Sequence, residues 1–127
     1  MEQHKLSSAR AGRLAERHAE SYLIEQGLEL IARNIRYPCG EIDLLMRDNR
    51  TLVFVEVRQR SNRRFPSALA SVDYKKQRRL TSAAALVLQS NNLPHFEAVR
   101  FDVVGFDASQ KPLRVHWVKQ AFNAQEH

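Results

Sequence analysis

A single cysteine, Cys39, rules out an internal disulfide and leaves no cysteine set for zinc. Its place just ahead of an acidic cluster suits a buried or bystander thiol. No run of about 18 apolar residues occurs, so no membrane-spanning helix is expected. The first residues, MEQHKLSSARAGRLAER, are polar and hold no signal-peptide core, which makes the cytoplasm the expected location. The chain has only four glycines, none gathered into a loop that could cradle phosphate, and no internal repeat. Acidic residues are in the minority. Fourteen Asp+Glu against twenty Lys+Arg leave a formal charge of +6, a surplus that favours polyanionic partners.

What remains is an ordinary globular mixture, 43% hydrophobic and 27% charged. At 127 residues it suits one domain, 1–127, long enough to bury a core without disulfide or metal staples.

The richest stretch is Gly40 to Arg60, GEIDLLMRDNRTLVFVEVRQR, which reads as a β-hairpin. The polar Arg47-Asp48-Asn49-Arg50 supplies turn chemistry, and Leu52 to Val57 is rich in β-branched and aromatic residues. Side chains alternate faces along a strand. Ile42, Leu44 and Met46 then share one face, with Glu41, Asp43 and Leu45 on the other. Across the turn, Val53, Val55 and Val57 lie opposite in facing to Leu52, Phe54, Glu56 and Arg58. With Asp48-Asn49 as a two-residue loop, Glu41 faces Glu56 and Asp43 sits diagonal to it. Directly opposed Cβ atoms are roughly 5 Å apart, and like charges so placed are destabilising. Three carboxylates and a guanidinium on one patch suit a bound divalent cation, which takes one or two carboxylates plus water and substrate phosphate. Spacing alone equally allows solvated acids on an open face; Leu52 and Phe54 on that same face count against it.

Elsewhere, Ala11, Leu14, Ala15, Ala19, Tyr22 and Leu23 recur at helical spacing and predict a helix over Ser8 to Gln26, ended by Gly27, after a tail of Met1 to Arg10. Glu16 lies on the flank of its apolar stripe, and His18 falls within the stripe as a structural histidine. Leu28 to Arg36 reads as a strand and Gln59 to Ser71 as a loop, with Phe65 beside its arginines. Val72 to Ser90 reads as a second helix carrying Lys76 on its apolar stripe, either snorkelling to water or aimed at an acid. Arg100 to Phe106 and Leu113 to Val118 are strands, and Ala121-Phe122 opens a short terminal helix. Arg58, Arg60, Arg63 and Arg64, with Lys75, Lys76 and Arg79 on the second helix, are the candidate phosphate contacts.

GEIDLL followed by VFVEVR resembles the signature of the bacterial YraN-type proteins, a family long described as uncharacterised. They belong to the PD-(D/E)xK nuclease superfamily and are similar to the archaeal Holliday-junction resolvases. AERHAESYLIEQGLELIARNIR, VDYKKQRRL, RFDVVGF and HWVKQAF extend the resemblance over nearly the whole chain. It implies a restriction-endonuclease-like α/β fold, a mixed sheet flanked by helices, which the order αβββαββ fits. It implies a metal-dependent endonuclease for branched or structured DNA in recombination or repair, with Mg²⁺ or Mn²⁺ as cofactor. The superfamily's first acid falls on Asp43, its second on Glu56, its lysine on Arg58, and the resolvases' helix-one glutamate on Glu16. Asp43, Glu56 and Glu16 are thus the implied metal ligands and, with Arg58, the implied catalytic set.

Arg58 departs from the superfamily's lysine. A guanidinium cannot act as a base, because its pKa exceeds about 12. It can hold phosphate, or Lys76 can supply an ammonium from the second helix. The competing expectation is a non-catalytic DNA-binding module that keeps the nuclease fold. Symmetric cutting of a junction would require a homodimer, for which the sequence marks no interface.

Overall fold

The computed structural model describes residues 2–60, 71–107 and 114–124, with side chains described for 12–59, 71–107 and 114–124. The element order is α1 (Glu2–Glu25), β1 (Glu29–Tyr37), β2 (Gly40–Asp48), β3 (Thr51–Arg60), α2 (Tyr74–Leu88), β4 (Ala98–Asp107) and β5 (Arg114–Phe122). This is the expected αβββαββ. The strands form one sheet in the order β1-β2-β3-β4-β5. Only β3 and β4 run parallel, joined through α2; the other neighbours are antiparallel.

Each face of the sheet carries one helix. On β3 the alternation is regular. Leu52 and Phe54 pack with Leu80, Ala83, Ala84 and Val87 of α2, whereas Val53 and Val55 pack with Ala19 and Leu23 of α1. Such two-sided burial gives a central strand its apolar run. β2 does not alternate so simply. Leu44 and Met46 join the α1-side core, but Ile42 joins the α2-side core. The expected common face of Ile42, Leu44 and Met46 therefore breaks at Asp43. The neighbouring strand is irregular nearby too, with Asn34 in the left-handed region at φ 51.

Several expectations change. The hairpin loop is Asn49-Arg50, since Asp48 pairs with Thr51, and Asn49 takes φ 56, an angle asparagine tolerates. The register slides by two residues, which preserves which side chains share a face. α1 begins at Glu2 rather than Ser8, so the stretch expected as a tail has helical backbone. Its buried stripe is narrower than expected: Leu14 is 53% exposed and His18 is exposed, its ring lying perpendicular to that of Phe106. Cys39 is exposed. Ala121 and Phe122 end β5 instead of opening a helix. They stay in the strand because the chain bulges at Gln120 (φ 48), whose N–H donates to buried Asp102 at 3.0 Å. Asp102 also accepts from Arg100 and from Trp117 Nε1, closing that bulge with fully paired polar groups.

α2 lies unusually close to β2. A Cβ placed on Gly40 would stand 2.3 Å from the Arg79 carbonyl oxygen, so only glycine fits where β2 begins under the helix. Gly12, on the exposed surface of α1, has nothing within 4 Å of a Cβ. Gly40→Ala is expected to destabilise by about 1–3 kcal/mol, as overpacking does. Gly12→Ala should stabilise by about 0.5–1 kcal/mol through helix propensity. Denaturant midpoints of the two variants should move in opposite directions. A harmless Gly40→Ala would mean that α2 does not sit so close.

Candidate functional site

The β2–β3 ladder stops at Leu44 opposite Val55. Beyond it each strand keeps its outer neighbour: β2 runs on beside β1 to Gly40, and β3 beside β4 to Arg60. The sheet thus parts between its second and third strands. The Val57 N–H donates to Asp43 Oδ2 at 2.9 Å, so a side chain fills the place of a ladder acceptor.

Around the opening lies a cleft of about 410 Å³ whose lining includes Arg36, Gly40, Glu41, Glu56, Arg58, Lys76 and Arg79. Arg58 is held from two sides. Its Nε donates to Ser71 Oγ at 2.9 Å, and its Nη1 stands 3.5 Å from Glu56 Oε1. Lys76 is half-buried on the first turn of α2, where Asp73 caps the helix by accepting from the Lys76 N–H at 2.9 Å. It lines the same cleft as Glu56, and its charge lowers the Glu56 carboxyl. A second hollow, of about 220 Å³, lies between α2 and β4–β5, but its one charged residue, Arg100, is already paired with Asp102 and Asp48.

Asp43 is buried beside Glu56, and burial followed by the Glu56 charge pushes its carboxyl up to about 8; Glu16 and Glu41 add to the rise. Burial also raises Glu56, against the opposing pull of Arg58 and then Lys76. Glu16 is raised by burial as well, while a hydrogen bond from Asn34 lowers it. Glu41 is mostly exposed and 3.5 Å from Arg36. Four acids therefore act on one another across the opening. Among the described residues, however, no three His, Cys, Asp or Glu side chains stand together as a ready-made metal cage. Glu16, Asp43 and Glu56 do not converge that closely.

Glu56, Arg58, Lys76 and Arg79 do line the cleft, whereas Asp43 is buried off its lining, where the charges of Glu56 and of Glu16 on α1 act on it. Lys75 is exposed on α2. Arg63, Arg64 and Phe65, and the side chain of Arg60, lie outside the described residues. Sequence reasoning missed Asn34, Arg36 and Ser71. An asparagine in the middle of a strand was the available signal for the first; nothing in the pattern marked the other two.

A five-stranded mixed sheet with one helix on each face, opened between two central strands over paired acids, is an α/β fold of the restriction-endonuclease-like kind. Residues 15–106 match the model of the uncharacterised protein family UPF0102, and the chain belongs to that family, which is the YraN-type family. It is 49% identical over 119 residues to a UPF0102 protein of Pseudomonas putida (strain GB-1), covering 91% of this chain and 95% of that one. It is 46% identical over 114 residues to one of Janthinobacterium sp. (strain Marseille), covering 90% and 88%. Among the described residues no helix is long and apolar enough to cross a membrane.

The raised Asp43 sets a pH dependence. An unfolded aspartate releases its proton near pH 3.9, whereas the fold keeps it to about 8. Between these values the native state binds more protons than the unfolded one, so stability falls as pH rises. In EDTA, stability is expected to decline between about pH 4 and about pH 8 by an amount on the order of a few kcal/mol. Asp43→Asn should remove most of that decline. A pH profile that Asp43→Asn leaves unchanged would show that Asp43 is ionised in the fold.

Proposed function

We propose that this protein is a metal-dependent nuclease acting on branched or otherwise structured DNA. The observation that carries the reading is the Asp43–Glu56 pair at the split of the sheet, with Arg58 beside Glu56 and Lys76 lining the same cleft. Two adjacent acids raised by burial gain from a cation, and Mg²⁺ or Mn²⁺ needs only one or two protein carboxylates beside water and phosphate. The donor set therefore fits such an ion, with Asp43 and Glu56 holding it and Glu16 contributing negative charge from α1. When bound, the ion would supply Lewis acidity at the scissile phosphodiester.

The remaining work falls to the chain's own cations. Arg58, oriented by Ser71 and Glu56, is preorganised to bind a non-bridging phosphate oxygen and to stabilise the charge that grows there. It takes no proton. Lys76 offers a second positive charge from the opposite wall, and Arg79 and Arg36 extend the positive rim. A function on DNA would locate the protein in the cytoplasm, and symmetric cutting of a junction would call for two copies.

A second reading, a DNA-binding module without catalysis, draws on Arg58 itself, since it stands where the superfamily has lysine and is already engaged by Ser71 and Glu56. Synthetic junctions, flaps and single strands incubated with Mg²⁺ or Mn²⁺ separate the two. The nuclease reading expects cleavage that Asp43→Ala abolishes. Arg58→Lys should retain or raise it, and Arg58→Ala should lower it by roughly 10²–10³. Binding without cleavage, in both wild type and Arg58→Lys, would favour the module. No affinity for any DNA at low salt would remove both.

Metal binding carries its own signature. A carboxyl held up to about 8 must give up its proton to become a ligand, so binding near neutral pH should release up to about one proton per ion. Affinity should accordingly rise with pH and level off above about 8. Calorimetry in buffers of different ionisation enthalpy reads the proton count. Mg²⁺ or Mn²⁺ binding that persists in both Asp43→Ala and Glu56→Ala would place the ion elsewhere.

A further inference from the structure

We propose that Tyr74 is a stacking platform for an unpaired DNA base, reached from the cleft along a basic band on α2. The proposal rests on the reading of the cleft as a DNA site and deepens it, by naming single-stranded or splayed DNA as the substrate class.

Tyr74 opens α2 and is 59% exposed, the most exposed large hydrophobic side chain among the described residues. It lies on the side of the helix away from the core formed by Leu80, Ala83, Ala84 and Val87. An aromatic ring left in water contributes nothing to that core. Two residues later, on the same turn, Lys76 enters the cleft that holds Glu56 and Arg58.

The cations between these two points are ordered. At about 100° per residue, Lys76, Arg79, Lys75, Arg78 and Tyr74 follow one another around the helix in steps of about 40–60°. Lys76 and Arg79 line the cleft, while Lys75 and Arg78 are exposed. The band thus leads from the acids, around the outside of the first two turns, to the tyrosine. A strand whose phosphate lies against Arg58 can follow it with successive phosphates, and its next unpaired base then meets an aromatic face. Duplex DNA has no base face to offer; its bases are stacked on each other.

The ring is also prepared for this. Asp73 caps the helix through the Lys76 N–H, so Tyr74 stands on a fixed first turn and not on a loop. The Arg78 guanidinium carbon lies 5.9 Å from the centre of the Tyr74 ring, a cation–π distance across one helical turn. Arginine planes stack on bases as readily as on tyrosine, so the pair presents two stacking surfaces side by side. Positive tracks with interleaved aromatics are how sequence-tolerant single-strand sites are built.

The test compares full-length wild type, Tyr74→Ala, Tyr74→Phe and Lys75→Ala for binding to a single strand, a splayed fork and a blunt duplex. Fluorescence anisotropy in EDTA avoids strand cutting. Tyr74→Ala is expected to weaken single-strand and fork binding by about 5- to 100-fold, the span for loss of one stacked base. Blunt-duplex binding should stay within about twofold. Tyr74→Phe should behave as wild type, because stacking needs the ring and not the hydroxyl. The salt dependence should be unaltered in Tyr74→Ala and shallower by about one contact in Lys75→Ala. Wild-type DNA binding that Tyr74→Ala leaves unchanged, or lowers equally for duplex and single strand, overturns the platform while the cleft reading stands. Absence of DNA binding by the wild type overturns both.

Discussion

Everything at the site follows from the Asp43 carboxyl group accepting the Val57 N–H. A central strand must satisfy each backbone donor or pay the desolvation cost of a buried polar group. On the β2 side of Val57 the ladder has ended, and Asp43 replaces it with a side-chain oxygen. The strands can therefore part without leaving an orphan, and among the described residues no buried side-chain polar atom lacks a partner. The same event shifts Ile42 to the opposite core from Leu44 and Met46. Asp43 and Glu56, which alternation already places on one face, can then be joined through the gap by Glu16 from the helix on the other face. Asp43 feels Glu56 from the α2 side and Glu16 from α1.

This placement costs stability. Burial of two neighbouring carboxyls is tolerated only by holding at least one proton or by bringing in positive charge. The chain does some of each. Arg58 and Lys76 pull Glu56 back down, while Asp43, raised by burial and then by the Glu56 charge, stays high. The cleft is lined by four cations and two acids, with Asp43 buried nearby. A polyanion can be met at the rim, and the acids beneath are left short of a counter-charge. A surface ion pair such as Arg36–Glu41 contributes little by comparison.

Much of this was legible in the residues. Alternation placed Glu56 and Arg58 on one face of β3, and β3 obeys it because both its neighbours are strands and both its faces are covered. Element order could be read because hydrophobic period changes between helix and strand. The register was off by two because Asp48-Asn49 and Asn49-Arg50 are similar turn pairs, and only tertiary pairing chooses between them. The slip at Asp43 could not be seen, since it depends on a contact with a residue fourteen positions away. Nor could Ser71, whose bond to Arg58 spans a loop. Leu14 misled because it is apolar and near the stripe in sequence, whereas at about 100° per residue it lies roughly 160° around α1 from the midpoint of buried Ala19 and Leu23. Ala121-Phe122 were misread because the Asp102 bulge that keeps them in β5 is formed by residues from another strand.

The placement of α2 is where packing and chemistry meet. The helix must cover Leu52 and Phe54 on one face of the sheet, and it must also bring Lys76 to Glu56. Both demands bear on its distance from β2. Any side chain on Gly40 would meet the Arg79 carbonyl and lift the first two turns. Those turns carry the cleft lysine, Arg79 and the band leading to Tyr74. The glycine of GEID thus has a reason independent of any turn, for it is the space in which the helix comes close enough to reach the acids. The acids two strands deep and the cations on the helix are separated in sequence by the loop between β3 and α2, yet a single missing Cβ sets the gap between them. A strand beginning with any larger residue would keep its acids and its fold, and would hold the positive wall too far from Glu56 to balance its charge.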